Sequence, residues 1–209
     1  MNISLIICNF NHERFLHRCI RSAIKQNMDH SLFEIIIVDD ASTDNSKCII
    51  DYYASKFKNI KTIYNENNIG LPESCNIAVK RALGSYIYFL DSDDYLNEDA
   101  LLFPYKFIVN NRGDIDACSC DYFEVDTNEN ILRRRNGDTY PIRCGIMFKI
   151  DDLLHFGPYM NIPREDLDFR NRFLRSRRFI YNIPIPLYRY TQNDDSMSKK
   201  FFLQDIHTQ

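Results

Sequence analysis

The stretch YIYFLDSDDYL, residues 86–96, joins a run of strand-forming residues to a cluster of acids. Its first five positions are aromatic or aliphatic, which is typical of a buried strand. Asp91, Asp93 and Asp94 follow within four residues. Because like charges repel at this spacing, a fold gains no stability by collecting them at a strand end. The stretch therefore predicts a buried strand whose carboxyl end is suited to bind a cation.

The first hundred residues repeat this pattern of an apolar run followed by a polar exit. Continuous apolar runs predict strands at 3–8, 33–38, 60–64 and 86–90. Helical spacing predicts helices at 13–26 and 70–83. A further helix is expected after the second strand, capped by Ser42, Thr43 or Asp44. Runs without polar alternation favour strands covered on both faces, so we predict an α/β fold with a Rossmann-like, mainly parallel, doubly wound sheet.

After Asp94 the pattern becomes mixed, and the predicted elements are a helix at 97–111, a hairpin within 116–135, a strand at 145–150, an amphipathic helix at 164–176 and an extended segment at 178–190. The chain contains no repeat, low-complexity tract or linker. We therefore predict a single domain, 1–209, with functional halves at 1–96 and 97–209, the second smaller and mixed in strand direction.

Composition excludes several classes of function. The 209 residues are 44% hydrophobic and carry a formal net charge of −3, so nothing in the charge indicates nucleic-acid binding. The seven cysteines show no CxxC pair or zinc-type spacing, which indicates a reducing compartment. No signal-peptide pattern is visible, and no apolar run approaches the roughly 18 residues of a membrane span. We expect a cytoplasmic protein, with peripheral contact at the membrane face left open.

Polar side chains follow all four predicted strands of the first half. Strand one is followed by Cys8, Asn9 and Phe10, strand two by Asp39 and Asp40, strand three by Asn68 and its neighbours, and strand four by the acidic cluster. Ligands of parallel α/β sheets bind in the crevice beyond the carboxyl ends of the strands. Carboxylate oxygens on such a rim suit Mg²⁺ or Mn²⁺. A solvated turn with a helix cap is the alternative interpretation of the acidic cluster.

Three other classes of protein place acids near strand ends, and each fails on position. A response-regulator receiver domain has its phosphoacceptor aspartate at the end of strand three, where this chain has Tyr64 and Asn65. A haloacid-dehalogenase-type phosphatase has its acidic motif after strand one rather than strand four. A dinucleotide-binding Rossmann enzyme needs GxGxxG after strand one, but no glycine precedes Gly70.

Five segments, in order over residues 3 to 198, resemble the inverting family 2 glycosyltransferases of GT-A fold. SLIICNFN is similar to their first strand, and EIIIVDDASTDNS to their VDDGSxD segment. NIGLPESCNIAVKRALGSYIYFLDSDD is similar to the segment that ends in their DxD motif. PREDLDFRNRFL and PLYRYTQNDDSMS are similar to their ED and C-terminal segments. Each motif is short, but the ordered set is specific.

The resemblance implies a role for each matching position. Residues implied to bind the donor nucleotide are Cys8, Asn9, Phe10, Asp39, Asp40, Asn68, Asp91 and Ser92. Asp93, with Asp91, would ligate the Mg²⁺ or Mn²⁺ that bridges the diphosphate, while Asp94 is expected to support the loop. Asp166 would be the catalytic base, with Glu165 the less favoured candidate. Both acids also suit a helix N-terminus without any catalytic role. Tyr159 and Met160 are the expected acceptor contacts.

The implied activity is metal-dependent transfer of a sugar from a nucleotide-diphospho-sugar, a UDP-sugar above others, to an acceptor hydroxyl with inversion. The first half would bind the nucleotide-sugar, and the second would hold the acceptor and the base. A glycan, a lipid-linked molecule or a protein could be the acceptor, in polysaccharide, lipopolysaccharide or glycan biosynthesis. A sugar-phosphate nucleotidyltransferase is an alternative, although its GGxGTRL loop is absent. A non-catalytic nucleotide-sugar-binding module is another, although the Glu165–Asp166 pair is retained.

The chain departs from the family pattern at three positions. The proline usual near the end of strand one is absent. Cys75 stands where many relatives have an arginine, and Asn193 where many have a histidine. A cation at the donor phosphates would then have to come from elsewhere, and Arg189 and Lys199 are the candidates.

Overall fold

The computed structural model describes residues 1–111 and 115–193. Its strands are β1 (Ile3–Asn9), β2 (Phe33–Asp39), β3 (Ile60–Tyr64), β4 (Tyr86–Asp91), β5 (Tyr95–Leu96), β6 (Ala117–Val125), β7 (Ile131–Arg135), β8 (Met147–Lys149) and β9 (Ile180–Thr191). Its helices are α1 (Glu13–Ile24), α2 (Ser46–Lys56), α3 (Leu71–Arg81), α4 (Leu102–Asn110), α5 (Ile150–His155) and α6 (Glu165–Arg175).

The first half is the doubly wound α/β unit that the continuous apolar runs predict. Strands β3, β2, β1 and β4 lie side by side in that order, and all three pairs are parallel. Because crossovers between parallel strands are right-handed, α1 and α2 cover one face and α3 the other. Helices α1 and α2 contact each other, while α3 contacts β1 and β2. The order of strands reverses at β1, because β2 and β3 are added on one side of it and β4 on the other. This reversal creates a crevice at the carboxyl ends of β1 and β4.

The second half extends the same sheet with mixed strand directions. Strand β8 pairs antiparallel with β4 and with β6. Strand β6 then pairs parallel with β9, whose other neighbour is the short β5. The hairpin predicted within 116–135 is β6 with β7. The α/β fold with a mixed second half is confirmed, although that half is the longer one, and the nine strands within residues 1–111 and 115–193 form one continuous sheet.

Several element boundaries differ from the sequence prediction. Helix α4 begins at Leu102 rather than near 97, because Tyr95 and Leu96 pair with β9 and a turn follows. Strand β8 contains three residues rather than six. The two elements that went unpredicted, β5 and α5, are two and six residues long. Elements this short carry too few residues for a periodic pattern, and tertiary pairing defines them instead.

The predicted cap of the helix after β2 also needs correction. Asn45, not Ser42, Thr43 or Asp44, precedes the first residue of α2. Asp44 nevertheless accepts hydrogen bonds from the backbone N–H groups of Ser46 (2.9 Å) and Glu13 (2.9 Å). One carboxylate therefore serves the first turns of both α1 and α2, at the positive ends of their dipoles.

Candidate active site

A cleft of about 990 Å³ opens at the carboxyl ends of β1 and β4. Residues of the cleft wall come from the exits of four parallel strands, from α1 and from the end of β9; they include Cys8, Asn9, Phe10, Asn11, His12, Asp40, Asn68, Gly70, Asp91, Ser92, Asp93, Tyr190 and Asn193. Cys8 and Asp91 lie opposite each other in the β1–β4 register. Eight of the residues predicted from the sequence thus meet in one cleft, which is where a doubly wound sheet binds ligands.

The two acids after β2 have different surroundings. Asp39 is 3% exposed, does not line the cleft, and accepts hydrogen bonds from Asn9 Nδ2 (2.8 Å) and Ser42 Oγ (2.6 Å). These two hydrogen bonds join the carboxyl end of β1 to the loop after β2. Of the two acids predicted to bond the nucleotide base, Asp40 is the one that lines the cleft in this structure, and the ligand role of Asp39 stays a prediction.

Asp40 fixes the loop that forms one wall of the cleft. Its carboxylate accepts from the backbone N–H groups of Gly70 (2.8 Å) and Ile69 (3.0 Å) and from Asn65 Nδ2 (2.8 Å). Gly70 adopts φ +87°, which a residue with a side chain disfavours. Asn68, exposed on the cleft wall, is held in this turn by accepting the Gly70 N–H through Oδ1 (3.2 Å).

The exit of β1 forms the floor of the cleft. Asn9 is 1% exposed and fixed by Asp39, whereas Phe10 is 43% exposed at the cleft wall. A large apolar ring left this exposed beside polar groups is suited to contact a planar ligand group.

The acids of the DSDD cluster divide into two kinds. Asp94 is 1% exposed and accepts from Tyr188 Oη (2.6 Å) and the Thr191 N–H (2.7 Å), so it ties the cluster to β9. Asp91 and Asp93 line the cleft. Burial and the neighbouring Asp91 charge raise the pKa of the Asp93 carboxyl. This excess of negative charge is the kind that a bound cation relieves.

Asn193 completes the acidic wall from the end of β9. Its Nδ2 donates to Asp93 Oδ2 (2.6 Å), and its buried Oδ1 has no hydrogen-bond partner. Within residues 1–111 and 115–193, no three His, Cys, Asp or Glu side chains are grouped to hold a metal. Two carboxylates and one orphaned amide oxygen fit Mg²⁺ or Mn²⁺ that takes its remaining ligands from a bound diphosphate and water.

His12 and Arg18 lie beside the cluster and were not predicted. His12 Nδ1 lies 2.8 Å from Ser92 Oγ, and the ring lines the cleft. Arg18 Nη2 donates to the backbone carbonyl of Asp93 (2.8 Å). Both belong to α1 or its N-terminal boundary, so the first crossover helix orients the loop after β4.

A buried arginine, Arg143, connects the acidic cluster to the ED segment. Its Nη2 donates to Asp91 Oδ1, and its Nη1 lies 3.4 Å from Glu165 Oε1. Arg143 is 9% exposed and also contacts Cys75 Sγ at 3.5 Å. The sequence carried no signal for this role, because Arg143 lies in an irregular segment between β7 and β8 that matches none of the five motifs.

The cation candidates named from the sequence are placed differently. The Arg189 guanidinium donates to the carbonyls of Pro186 (2.7 Å) and Tyr188 (3.3 Å) and lies over the Phe123 ring, away from the residues that line the cleft. Arg189 therefore does not line the cleft in this structure. Lys199 lies outside the described residues.

Glu165 and Asp166 occupy the first turn of α6, after Arg164 at φ +58°. Burial raises the pKa of the Glu165 carboxyl, although Arg143 opposes the shift. Asp166 lines a separate cavity of about 10 Å³ with Arg143 and Tyr159. Neither acid lines the main cleft, and Arg143 lies between the two sites.

The two residues expected to contact the acceptor, Tyr159 and Met160, differ in exposure. Tyr159 is 4% exposed and packs its ring edge-on against Phe89, so little of the side chain is accessible to an acceptor in this structure. Its backbone N–H and carbonyl bond the Asn76 side chain at 2.9 and 3.0 Å, which fastens the segment before α6 to α3. Met160 is 48% exposed and is available to a ligand.

A family model and curated relatives match the chain. The model described as Glycosyl transferase family 2 matches residues 4–182. Poly(ribitol-phosphate) beta-glucosyltransferase of Bacillus spizizenii is 42% identical over 116 residues, which is 55% of this chain and 18% of that protein. The uncharacterized glycosyltransferase MJ1057 of Methanocaldococcus jannaschii is 34% identical over 181 residues, 85% of this chain and 62% of that protein. The chain thus spans only part of the length of both relatives.

Solved structures share the fold. The crystal structure of S. aureus TarS 1-349 in complex with UDP superposes with a TM-score of 0.76 at 25% identity, covering 92% of this chain and 61% of that one. The mannosyltransferase PcManGT from Pyrobaculum calidifontis, in complex with GDP-Man and Mn²⁺, gives a TM-score of 0.78 at 15% identity, covering 95% and 59%. No helix among residues 1–111 and 115–193 has the length and apolar character to cross a membrane.

Proposed function

Because this chain belongs to glycosyl transferase family 2, we propose that it binds a nucleotide-diphospho-sugar in its cleft and transfers the sugar to an acceptor hydroxyl. The observation that carries the proposal is the meeting of Asp91 and Asp93 in a cleft of about 990 Å³, with Arg143 joining that cleft to the ED pair. The cleft volume lies near the upper end of the range for small-molecule sites, which suits a ligand as large as a sugar nucleotide.

The nucleotide would lie over the exits of β1, β2 and β3. Phe10 offers an exposed ring to the base, and Asp40 and Asn68 present polar groups on the same wall. We propose UDP as the nucleotide, supported by the UDP bound to the TarS structure of the same fold. Cys8 and Asn9 would contribute backbone contacts, and Ser92 would lie near the ribose.

Asp93 and Asp91 would hold Mg²⁺ or Mn²⁺, with the orphaned Oδ1 of Asn193 as a third oxygen. The metal, when bound, acts as a Lewis acid that neutralises charge on the departing nucleoside diphosphate. Asp94 and Arg18 keep the loop in place from behind, through β9 and α1 respectively. Metal dependence is therefore part of the proposal.

Arg143 would supply the cation that Cys75 does not. Its guanidinium contacts Cys75 Sγ at 3.5 Å, so the small side chain at position 75 leaves room for it. From there it would hold Asp91 of the donor site and Glu165 of the base site at a fixed separation. A planar guanidinium can contact two different carboxylates through its two terminal nitrogens, and the single ammonium group of lysine does not reproduce this geometry.

Asp166 is the proposed general base, taking the proton of the acceptor hydroxyl. Glu165 is engaged by Arg143, whereas Asp166 faces its own small cavity one residue further along α6. A single base opposite the leaving group gives inversion at the anomeric carbon. Glu165 remains the alternative base, since burial raises its pKa toward the range that suits general-base catalysis. Met160 is the remaining proposed acceptor contact.

The acceptor is proposed as a glycan, lipid-linked or protein hydroxyl in cell-surface or glycan biosynthesis. The relative from Bacillus spizizenii is named for a poly(ribitol-phosphate) acceptor, which favours a polymer of this surface class. We also propose a cytoplasmic setting, with peripheral membrane contact as an option, because the odd number of cysteines without CxxC or zinc-type spacing suits a reducing compartment.

The proposal is tested by screening UDP-, GDP- and dTDP-sugars for thermal stabilisation of the chain, with and without Mn²⁺, followed by an assay of donor hydrolysis. We expect one nucleotide class to raise the melting temperature in the presence of Mn²⁺ and to release free sugar. Stabilisation without hydrolysis or transfer would favour the non-catalytic module. Absence of stabilisation by every nucleotide would exclude the proposed donor site.

A further inference from the structure

Two cysteine sulfurs meet in the floor of the cleft. Cys8, at the end of β1, lines the cleft and is partly exposed, while Cys75, on α3, lies behind it at 1% exposure. Their Sγ atoms are 3.6 Å apart and are not bonded covalently. An approach of roughly 1.5 Å would bring the sulfurs to the disulfide bond length of about 2.05 Å.

The surroundings of this pair differ from those of the buried cysteines of β6, and Cys144, which also contacts Arg143 (3.8 Å), has no second cysteine sulfur of the described residues in contact with it. Arg143 Nη1 lies 3.5 Å from Cys75 Sγ, and a nearby guanidinium stabilises a thiolate. The hydrogen bond with Cys8 and the Arg143 charge lower the pKa of Cys75 in spite of its burial. On β6, by contrast, burial raises the pKa of the Cys120 thiol to about 12. Geometry and charge thus single out Cys8 and Cys75.

We propose that Cys8 and Cys75 are a modification site: hydroperoxides oxidise them to a reversible disulfide that closes the floor of the cleft to nucleotide. Access is from the cleft, where Cys8 is exposed to a small oxidant while Cys75 is shielded. The loss of nucleotide binding rests on the proposed function, whereas formation of the disulfide does not.

The chemistry balances with hydrogen peroxide as the oxidant. The proton shared between the two sulfurs passes to Cys75, so that Cys8 attacks one peroxide oxygen as the thiolate. The O–O bond breaks, and Cys8 becomes a sulfenic acid as hydroxide leaves. The Cys75 sulfur then attacks the Cys8 sulfur, so that the S–S bond forms and the S–O bond breaks with loss of a second hydroxide. Together the two thiols give up two protons and two electrons, and hydrogen peroxide becomes two molecules of water.

The disulfide would alter the cleft in two ways. It would pull the exit of β1, which carries Asn9 and Phe10, toward α3. It would also remove the negative charge of a Cys75 thiolate beside Arg143. The other contacts of Arg143 are Asp91 and Glu165. Both changes fall on the wall that the nucleotide would use.

The test is peptide mapping of the full chain after peroxide treatment, with remaining thiols alkylated before digestion. We expect a Cys8–Cys75 cross-linked peptide, lighter than the two free peptides by two hydrogen atoms and restored by dithiothreitol. The cross-link should be absent from Cys75→Ser and present in Cys48→Ser, because Cys48 is an exposed cysteine of α2 outside the pair. Oxidation of Cys48, or of Cys8 to a sulfinic acid, without the cross-link would overturn the proposal.

The second arm is calorimetric titration of UDP with Mn²⁺ into oxidised and reduced chain. We expect affinity about tenfold weaker in the disulfide form and recovered with dithiothreitol. For Cys8→Ser, peroxide treatment should leave the affinity of that variant where it was before treatment. Equal affinity of the oxidised and reduced native chain would overturn the closure. A reduced chain that binds no UDP, yet forms the cross-link, would contradict the proposed function and leave the modification site standing.

Discussion

Arg143 contacts acids from both parts of the proposed site. Its guanidinium contacts Asp91 at the end of β4 and Glu165 at the start of α6. The group is buried, and its central carbon lies 5.6 Å from the centroid of the Phe89 ring. Buried charges are held only where partners compensate them. Removal of this charge would leave two acids facing each other without a cation.

Replacement of Arg143 by methionine is expected to lower kcat/KM for sugar transfer by about 10²-fold, since truncating one partner of a buried charge pair costs about 2–5 kcal/mol. Arg143→Lys should recover only part of the loss, because an ammonium group cannot reach both carboxylates in one plane. Steady-state kinetics with a donor sugar measures both. The matched control is Arg189→Met, which removes a guanidinium that does not line the cleft. Native kinetics in Arg143→Met would refute this role.

The adjacent acids of α6 can be separated by isosteric substitution. With Asp166 as the base, Asp166→Asn is expected to reduce the transfer rate by about 10²–10⁴-fold while UDP affinity is kept. Glu165→Gln should keep most of the rate. Burial raises the pKa of Glu165. If Glu165 were the base, the acid limb of the pH–rate profile would therefore lie above the ordinary glutamate range. That limb would be lost in Glu165→Gln. This second pattern would reassign the base.

At the residue scale, the sequence predicted which side chains reach the cleft better than what each one does there. Asp93 and Asp40 line the cleft as expected, because strand exits of a parallel sheet share one edge. The burial of Asp39 and Tyr159 was not visible in the sequence, because the hydrogen bonds and packing that bury them come from distant parts of the chain. Arg143 had no local signature at all, since its partners are 52 and 22 residues away.

At the element scale, the first half follows from local pattern alone. Three of the four apolar runs without alternation became largely covered strands, and β2 is buried along its whole length. The fourth, β3, lies at the end of the sheet, and only its first residue is buried. The second half depends on pairing partners that no window of sequence contains. Strand β5 exists because Tyr95 and Leu96 meet Arg189 and Tyr188 of β9.

The amino end of the sheet depends on one close backbone approach. A Cβ built at Gly84, just before β4, would lie 2.4 Å from the backbone nitrogen of Ser4 on β1. The Gly84 N–H donates to Ser4 Oγ (2.9 Å), which itself donates to the buried Glu34 (2.6 Å). Contact between β1 and β4 here sets the register that brings Cys8 opposite Asp91 at the other end.

Gly84→Ala is therefore expected to destabilise the fold by about 2 kcal/mol or more, because the added methyl group meets backbone that cannot move aside cheaply. Urea unfolding followed by circular dichroism measures the change. Leu83→Ala is the control, since Leu83 is 65% exposed and its loss should leave the free energy of unfolding nearly unchanged. Equal stability of Gly84→Ala and the native chain would show that β1 and β4 can separate locally.

At the scale of the whole molecule, the nine strands of the described residues form one sheet that runs through both the parallel and the mixed part of the fold. The buried residues form one core cluster that includes Ile6 of the first half and Phe173 of the second. Asp94, which follows β4, accepts two hydrogen bonds from β9. The acidic cluster is therefore held by strands from both parts of the sheet. The site is thus built across the join between the parallel and mixed parts of the sheet.

A shared core predicts cooperative behaviour of residues 1–209. Thermal unfolding should show a single transition, coincident by circular dichroism and by tyrosine fluorescence, as for a single domain. UDP with Mn²⁺ should shift the whole transition to higher temperature, because a ligand of the native state stabilises everything that unfolds with it. Two separate transitions, only one of them responsive to UDP, would contradict the single-domain organisation.

The central claim is that the acidic cluster binds a divalent cation together with a nucleoside diphosphate, and calorimetric titration of UDP tests it most directly. The account predicts binding that requires Mn²⁺ or Mg²⁺, weakens at least about tenfold in Asp93→Asn, and is unchanged in Asp51→Asn, which alters an exposed carboxylate of α2. UDP affinity that is the same with and without metal, or the same in Asp93→Asn as in the native chain, would contradict it.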